Sequence, residues 1–98
     1  MKNDLLNHYK LIKQRGLIRP ETNVHHFIDK IEEEFYEVRN QYADDYAQGI
    51  EPSDKFWHEC MDLIMTISNA MQHYGVDFEK ELRKNIKIQE SRVINIDS

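Results

Sequence analysis

The stretch VHHFIDKIEEEFYEVRNQYADDYA, Val24 to Ala47, reads as one long helix. Val24, Phe27, Ile28, Ile31, Phe35, Val38 and Tyr42 recur at spacings of three and four, the period that aligns side chains along one helix face. Thr22 or Asn23 is placed to cap its start. Gly49 and Pro52 mark a loop after it, and Ser53, followed by Asp54, supplies the cap and first-turn acid of another helix. The loop returns the chain antiparallel.

That next helix, Asp54 to about Tyr74, is apolar around most of its circumference between Cys60 and Met71, the pattern of a central helix with partners on several sides. Gly75 is placed to end it, Val76 to supply the apolar contact beyond, and Asp77 to cap a last helix carrying Phe78, Leu82, Ile86 and Val93, with the tail fraying after Arg92. Upstream, Asn3 is placed to cap a first helix running to about Arg15 with Leu5, Leu6, Tyr9 and Ile12 as its stripe; Gly16 ends it. Leu17 to Glu21, with Pro20, is a connector. No sustained period-two run and no Asn-Gly or Asp-Gly turn competes with this reading. The expectation is an all-α, four-helix antiparallel bundle forming one domain over residues 1–98. The broad apolar face of the third helix exceeds what so short a chain covers, so a homo-oligomer, most simply a homodimer, is expected.

A chain of 98 residues supports a single hydrophobic core. At 40% hydrophobic and 32% charged, with three Gly and two Pro, the composition suits a folded helical protein rather than a disordered one. The net charge of -5 argues against binding a nucleic-acid polymer, which needs a basic face. An acidic protein that handles phosphate needs a cation. Cys60 is the single cysteine, so an internal disulfide and a cysteine zinc site are excluded, and a reducing compartment suits the chain. No apolar run has the length of a signal-peptide core or a membrane span, so the expected location is the cytoplasm.

The chemistry lies in the acids. Glu34 and Glu37 are three apart and project within about 60° of one another on the second helix. Glu59 and Asp62 repeat the spacing on the third helix. Asp62 interrupts the apolar run Cys60, Met61, Leu63, Ile64, Met65, where a carboxylate is costly unless a cation or hydrogen bonds satisfy it. Glu33 points more nearly away. Acidic pairs at this spacing are common on solvated faces, and Glu32, Glu33 and Glu34 alone read as one; the second pair on the neighbouring helix is what raises the metal reading. Oxygen-only ligands suit Mg²⁺ or Mn²⁺, and two facing pairs have room for one or two ions with positions left for phosphate oxygens.

KIEEEFYEV (Lys30 to Val38) and HECMDLIMTISNAMQHYGVDFEKELRK (His58 to Lys84) together resemble the MazG-like all-α nucleotide pyrophosphohydrolases, whose signature is E-E-x-x-E followed by E-x-x-D. The resemblance spans about Val24 to Arg92. It places the first motif on Glu33, Glu34 and Glu37, and the second on Glu59 and Asp62. It implies a four-helix bundle completed by dimerisation, with Mg²⁺ held by Glu34, Glu37, Glu59 and Asp62. The implied reaction is cleavage of a nucleoside triphosphate between its α and β phosphates to a monophosphate and pyrophosphate, with Glu34 and Glu37 nearest the attacking water. Family members commonly place a lysine and, four residues later, an asparagine on the last helix. Lys84 suits the first position, Ile88 occupies the second, and Arg92 fits a later basic one. Phosphoribosyl-ATP pyrophosphohydrolases resemble the same pattern, and a non-catalytic helical module that binds a nucleotide or a protein is the alternative from another class.

Other residues carry less. Lys84, Lys87 and Arg92 could meet a triphosphate or simply form a cationic surface near a helix end. Trp57, Phe35, Tyr36, Tyr42 and Tyr46 read first as packing or interface aromatics. His25 and His26 lack partners at metal-ligand spacing, and Cys60 reads as packing because no basic residue adjoins it.

Overall fold

A computed structural model describes residues 2–97, and the side chains of residues 4–93. Among the described residues it is all-helical: α1 (Lys2–Gln14), α2 (Val24–Ala47), α3 (Asp54–His73) and α4 (Phe78–Asp97). Asn23 is the cap of α2, its side chain accepting from the His26 N–H at 3.2 Å. Ser53 does the same for α3, accepting from Phe56 at 3.3 Å, and Asp77 for α4, accepting from Lys80 at 3.2 Å. Each side-chain oxygen satisfies one of the orphan N–H groups of a first turn.

α2 ends where Gly49 takes φ 69°, a left-handed conformation that a Cβ would disfavour. That turn lets Ile50 N–H reach back to the Asp45 carbonyl at 3.1 Å. α1 and α3 end in the same way, with Leu17 donating to Ile12 at 3.2 Å and Val76 to Met71 at 2.9 Å. Two boundaries differ from the sequence reading. α1 already includes Lys2, so Asn3 lies inside its first turn rather than capping it. α4 continues past Arg92 to Asp97, since no Gly or Pro interrupts Phe78–Asp97.

α2 and α3 form an antiparallel hairpin. Asp45 near the end of α2 meets Ser53 before α3, the Tyr42 ring meets Phe56, and Phe27 at the start of α2 meets His73 and Tyr74 at the end of α3. Asp45 is buried, and its carboxylate accepts from the Ser53 N–H and hydroxyl, both at 2.9 Å, and from Gln41 at 3.0 Å. The Ser53 N–H is the main reason that the Asp45 carboxyl is held below the ordinary aspartate range.

α3 contacts all three other helices. α1 is bound to its C-terminal half by polar links: Tyr9 Oη donates to His73 Nδ1 at 3.1 Å, and His73 Nε2 donates to the Thr22 carbonyl at 2.8 Å. Gln72 donates to the Leu5 carbonyl at 3.2 Å. Burial raises the Tyr9 pKa. Among the described residues the buried apolar side chains are Ile18 and Phe27, so the core is small. The expectation that α3 is enclosed is met at Ser68 and Asn69, which are buried, but Trp57, Met61 and Ile64 remain about half-exposed and Ile67 is exposed by more than a third. α4 packs more sparingly, against α3. No described helix is long and apolar enough to cross a membrane.

Replacing Asp45 with Ala strands the Ser53 donors at the hairpin, and we expect a fall in Tm on the order of 5 °C at neutral pH. Because the folded pKa of Asp45 lies below the unfolded value of about 3.9, its contribution is fully present above that pH. It declines as pH falls further, so thermal melts of the two proteins should converge in acid.

Candidate functional site

The antiparallel register brings the two acidic pairs together. One carboxylate oxygen each from Glu34, Glu59 and Asp62 can be chosen such that all three lie within 4.8 Å of one another. Glu37 is exposed and stands within hydrogen-bonding reach of both Glu34 and Glu59 whenever one carboxyl of a pair is protonated. All four acids singled out in the sequence therefore converge, with Glu37 beside the triad rather than in it.

The burial is distributed differently from the sequence reading. Asp62, the acid embedded in an apolar run, is partly open and has His58 Nε2 at 3.4 Å. It faces the gap between helices, not the apolar side of α3. Glu34 is the buried member, with 9% of its surface exposed. Its Oε2 is enclosed and meets no donor. Lys30, one turn earlier, approaches the other oxygen at 3.8 Å and shares itself with the exposed Glu33 at 3.5 Å. Burial, followed by the adjacent Glu37, raises the Glu34 pKa, with Lys30 opposing and Asp62 adding to the shift. Glu59 is raised too, by loss of solvent and then by Glu37 and Asp62.

A buried carboxylate with an unpartnered oxygen, surrounded by three more acids, is an unfavourable arrangement for the protein alone. A hard divalent cation suits it: the donors are all oxygens, and octahedral Mg²⁺ with ligands at about 2.1 Å takes oxygens up to about 4.2 Å apart, the same range of spacing as the bound of 4.8 Å that holds these three. Glu34, Glu59 and Asp62 are the residues that fit such an ion.

Beside the acids lies a cleft of about 520 Å³ bounded by α1, the connector, α2 and α3. Glu34 and Asp62 line it together with Arg15, Lys30, Phe27 and Asn69. Asn69 is 6% exposed, and His8 Nδ1 donates to its Oδ1 at 3.2 Å. The sequence reading missed this wall. Lys30 carried a signal, standing four residues before Glu34 on the same helix face. Arg15, His8 and Asn69 carried none, because α1 reaches the cleft by packing between residues about sixty positions apart.

Lys84 and Arg92 are not among the residues lining the cleft. Both are exposed on α4, and Lys84 Nζ is paired with Glu81 at 3.4 Å. Within the chain α4 packs against α3. Cys60 is half-buried, and His25 and His26 are exposed, with His26 at the cleft edge.

No family model, no curated protein and no solved structure matches this chain.

If the acids are held together at an electrostatic cost, Glu34→Gln should raise the Tm of ion-free protein by a few degrees at pH 7.5. The raised folded pKa means the cost is absent below the ordinary glutamate value of about 4.3 and grows as pH rises through the folded value. The advantage of the variant should therefore vanish in acid. Mg²⁺ or Mn²⁺ at about a hundred times Kd should raise the wild-type Tm by on the order of 10 °C and leave Glu34→Gln nearly unmoved. Scanning calorimetry with and without chelator measures both.

Proposed function

We propose that this protein is a Mg²⁺-dependent nucleoside triphosphate pyrophosphohydrolase, with Mn²⁺ able to substitute. The observation that carries the proposal is the buried Glu34 oxygen without a donor, facing acids from two helices beside a cleft large enough for a small ligand. A structural acidic surface has no need to bury one of its carboxylates unpaired. The resemblance of the two acidic motifs to the MazG-like pyrophosphohydrolases supplies the choice of reaction.

In this reading Glu34, Glu59 and Asp62 hold the ion, and Glu37 joins them as ligand or proton acceptor. When bound, the ion supplies neutralisation of the triphosphate charge and makes water more acidic. The chain does the rest. Glu34 and Glu37, close enough to share a proton, accept the one released as water oxygen bonds to the α phosphorus. The bond from that phosphorus to the bridging oxygen breaks, and pyrophosphate departs with the electron pair. Lys30 and Arg15 are the cleft cations able to steady phosphate oxygens, in place of Lys84 and Arg92. Leu17 and Met65 are apolar side chains of the cleft lining against which the nucleoside end can rest.

The chain with Mg²⁺ is expected to release pyrophosphate and the monophosphate from at least one member of a panel of ribo- and deoxyribonucleoside triphosphates, read by chromatography. Glu34→Gln and Asp62→Asn should each lower kcat by about 10²-fold or more. Absence of pyrophosphate across the panel would sink the enzymatic reading. Calorimetric binding of Mn²⁺ and nucleotide without turnover would identify the non-catalytic module instead.

A further inference from the structure

A second cavity, of about 360 Å³, opens at the loop end of the hairpin, where Tyr42, Asp45, Tyr46, Ile50, Glu51 and Pro52 line it. It lies away from the acidic cleft, since Asp45 stands roughly 16 Å along α2 from Glu34. None of the described residues lining it carries a positive charge. Asp45 is 3% exposed, and the groups that hold it, the Ser53 N–H and hydroxyl and the Gln41 amide, are all neutral. They keep the carboxylate ionised without cancelling its charge. Lys55 acts on Asp45 through space, but among the described residues neither Asp45 nor the exposed Glu51 has a cation at ion-pair distance.

The two tyrosines stand one turn apart on α2 with ring centroids separated by 6.1 Å and planes tilted by 31°. Tyr46 is 74% exposed and Tyr42 54%. A cation within about 6 Å of a ring centroid is drawn to the negative face of the ring, and at this separation one cation can lie within about 5 Å of both. The occupants that fit are therefore few. An anion meets two carboxylates, and an uncharged apolar group strips water from Glu51 with nothing in return. A guanidinium seeks a carboxylate with two free acceptor positions, whereas three of the about four that Asp45 offers are taken. The same shortage disfavours a hard metal ion, which needs several oxygens. An alkylated ammonium has no such demand, because its charge is spread over carbon and needs no hydrogen-bond acceptor.

We propose that the cavity at the loop between α2 and α3 binds an alkylated ammonium group over the Tyr42 and Tyr46 rings, with Glu51 at its mouth. The group belongs either to a free quaternary amine or to a methylated lysine side chain, which present the same chemistry. The site is independent of the pyrophosphohydrolase reading.

Titration of the full chain at low ionic strength, followed by the tyrosine ring signals in NMR, tests it. Choline probes the free amine and the capped amide of trimethyllysine the side chain; the tighter of the two identifies the source. Saturable binding is expected, with the uncharged analogue of choline, in which carbon replaces the nitrogen, at least about tenfold weaker. Tyr46→Leu should weaken choline about tenfold and Glu51→Gln about threefold, both with helical circular dichroism unchanged, since both side chains are exposed. Absence of saturation with either probe through tens of millimolar overturns the proposal. So does equal binding of the uncharged analogue, which marks an apolar patch only, or an affinity that either substitution leaves unchanged.

Discussion

The Asp45 carboxylate sets the register of the molecule. By accepting both donors of Ser53 while Gln41 holds it from the same helix, it ties the end of α2 to the start of α3 at one fixed point. Antiparallel helices rise by the same 1.5 Å per residue, so a fixed point at the loop carries along the hairpin. Tyr42 falls beside Phe56, then Glu37 and Glu34 beside Glu59 and Asp62, then Phe27 beside His73. A slip of one residue would turn the acids on one helix by about 100° and disperse the cluster.

That cluster opposes the fold it sits in. Four carboxylates converge, one is buried without a donor, and the lysine that approaches it is shared between Glu33 and Glu34. Natural chains retain such arrangements at functional sites, where stability is given up for chemistry that the site alone can perform. The hairpin tolerates the cost because its other fastenings are placed elsewhere. Asp45 and Ser53 secure one end, and the Phe27 ring with the Tyr9, His73 and Thr22 chain secures the other. The acids occupy the middle, between two anchored ends, so mutual repulsion cannot easily spread the helices.

The same economy explains the small core. Among the described residues Ile18 and Phe27 are the buried apolar side chains, and caps, glycine turns and polar links between α1 and α3 add to what they hold. These fix geometry well but contribute modest net free energy, about 1 kcal/mol for a typical hydrogen bond. Burial of apolar area is the larger driving force, and Trp57, Met61 and Ile64 on α3 and Ile86 and Val93 on α4 still expose about half of their surface.

Much of the local structure was determined by the sequence itself. Asn23, Ser53 and Asp77 act as caps because short polar side chains satisfy nearby N–H groups, and Gly16, Gly49 and Gly75 end helices because they accept positive φ. The pairing of Glu34 with Glu37, and of Glu59 with Asp62, follows from helical period alone. What tertiary structure decided is which acid is buried. Sequence neighbours pointed to Asp62, but neighbours along a helix face all directions, and Asp62 opens on the gap between helices while Glu34 is enclosed against α3. Packing also brought His8, Arg15 and Asn69 to the cleft and left Lys84 outside it, since contacts across some sixty residues depend on helix crossing, which no local pattern encodes.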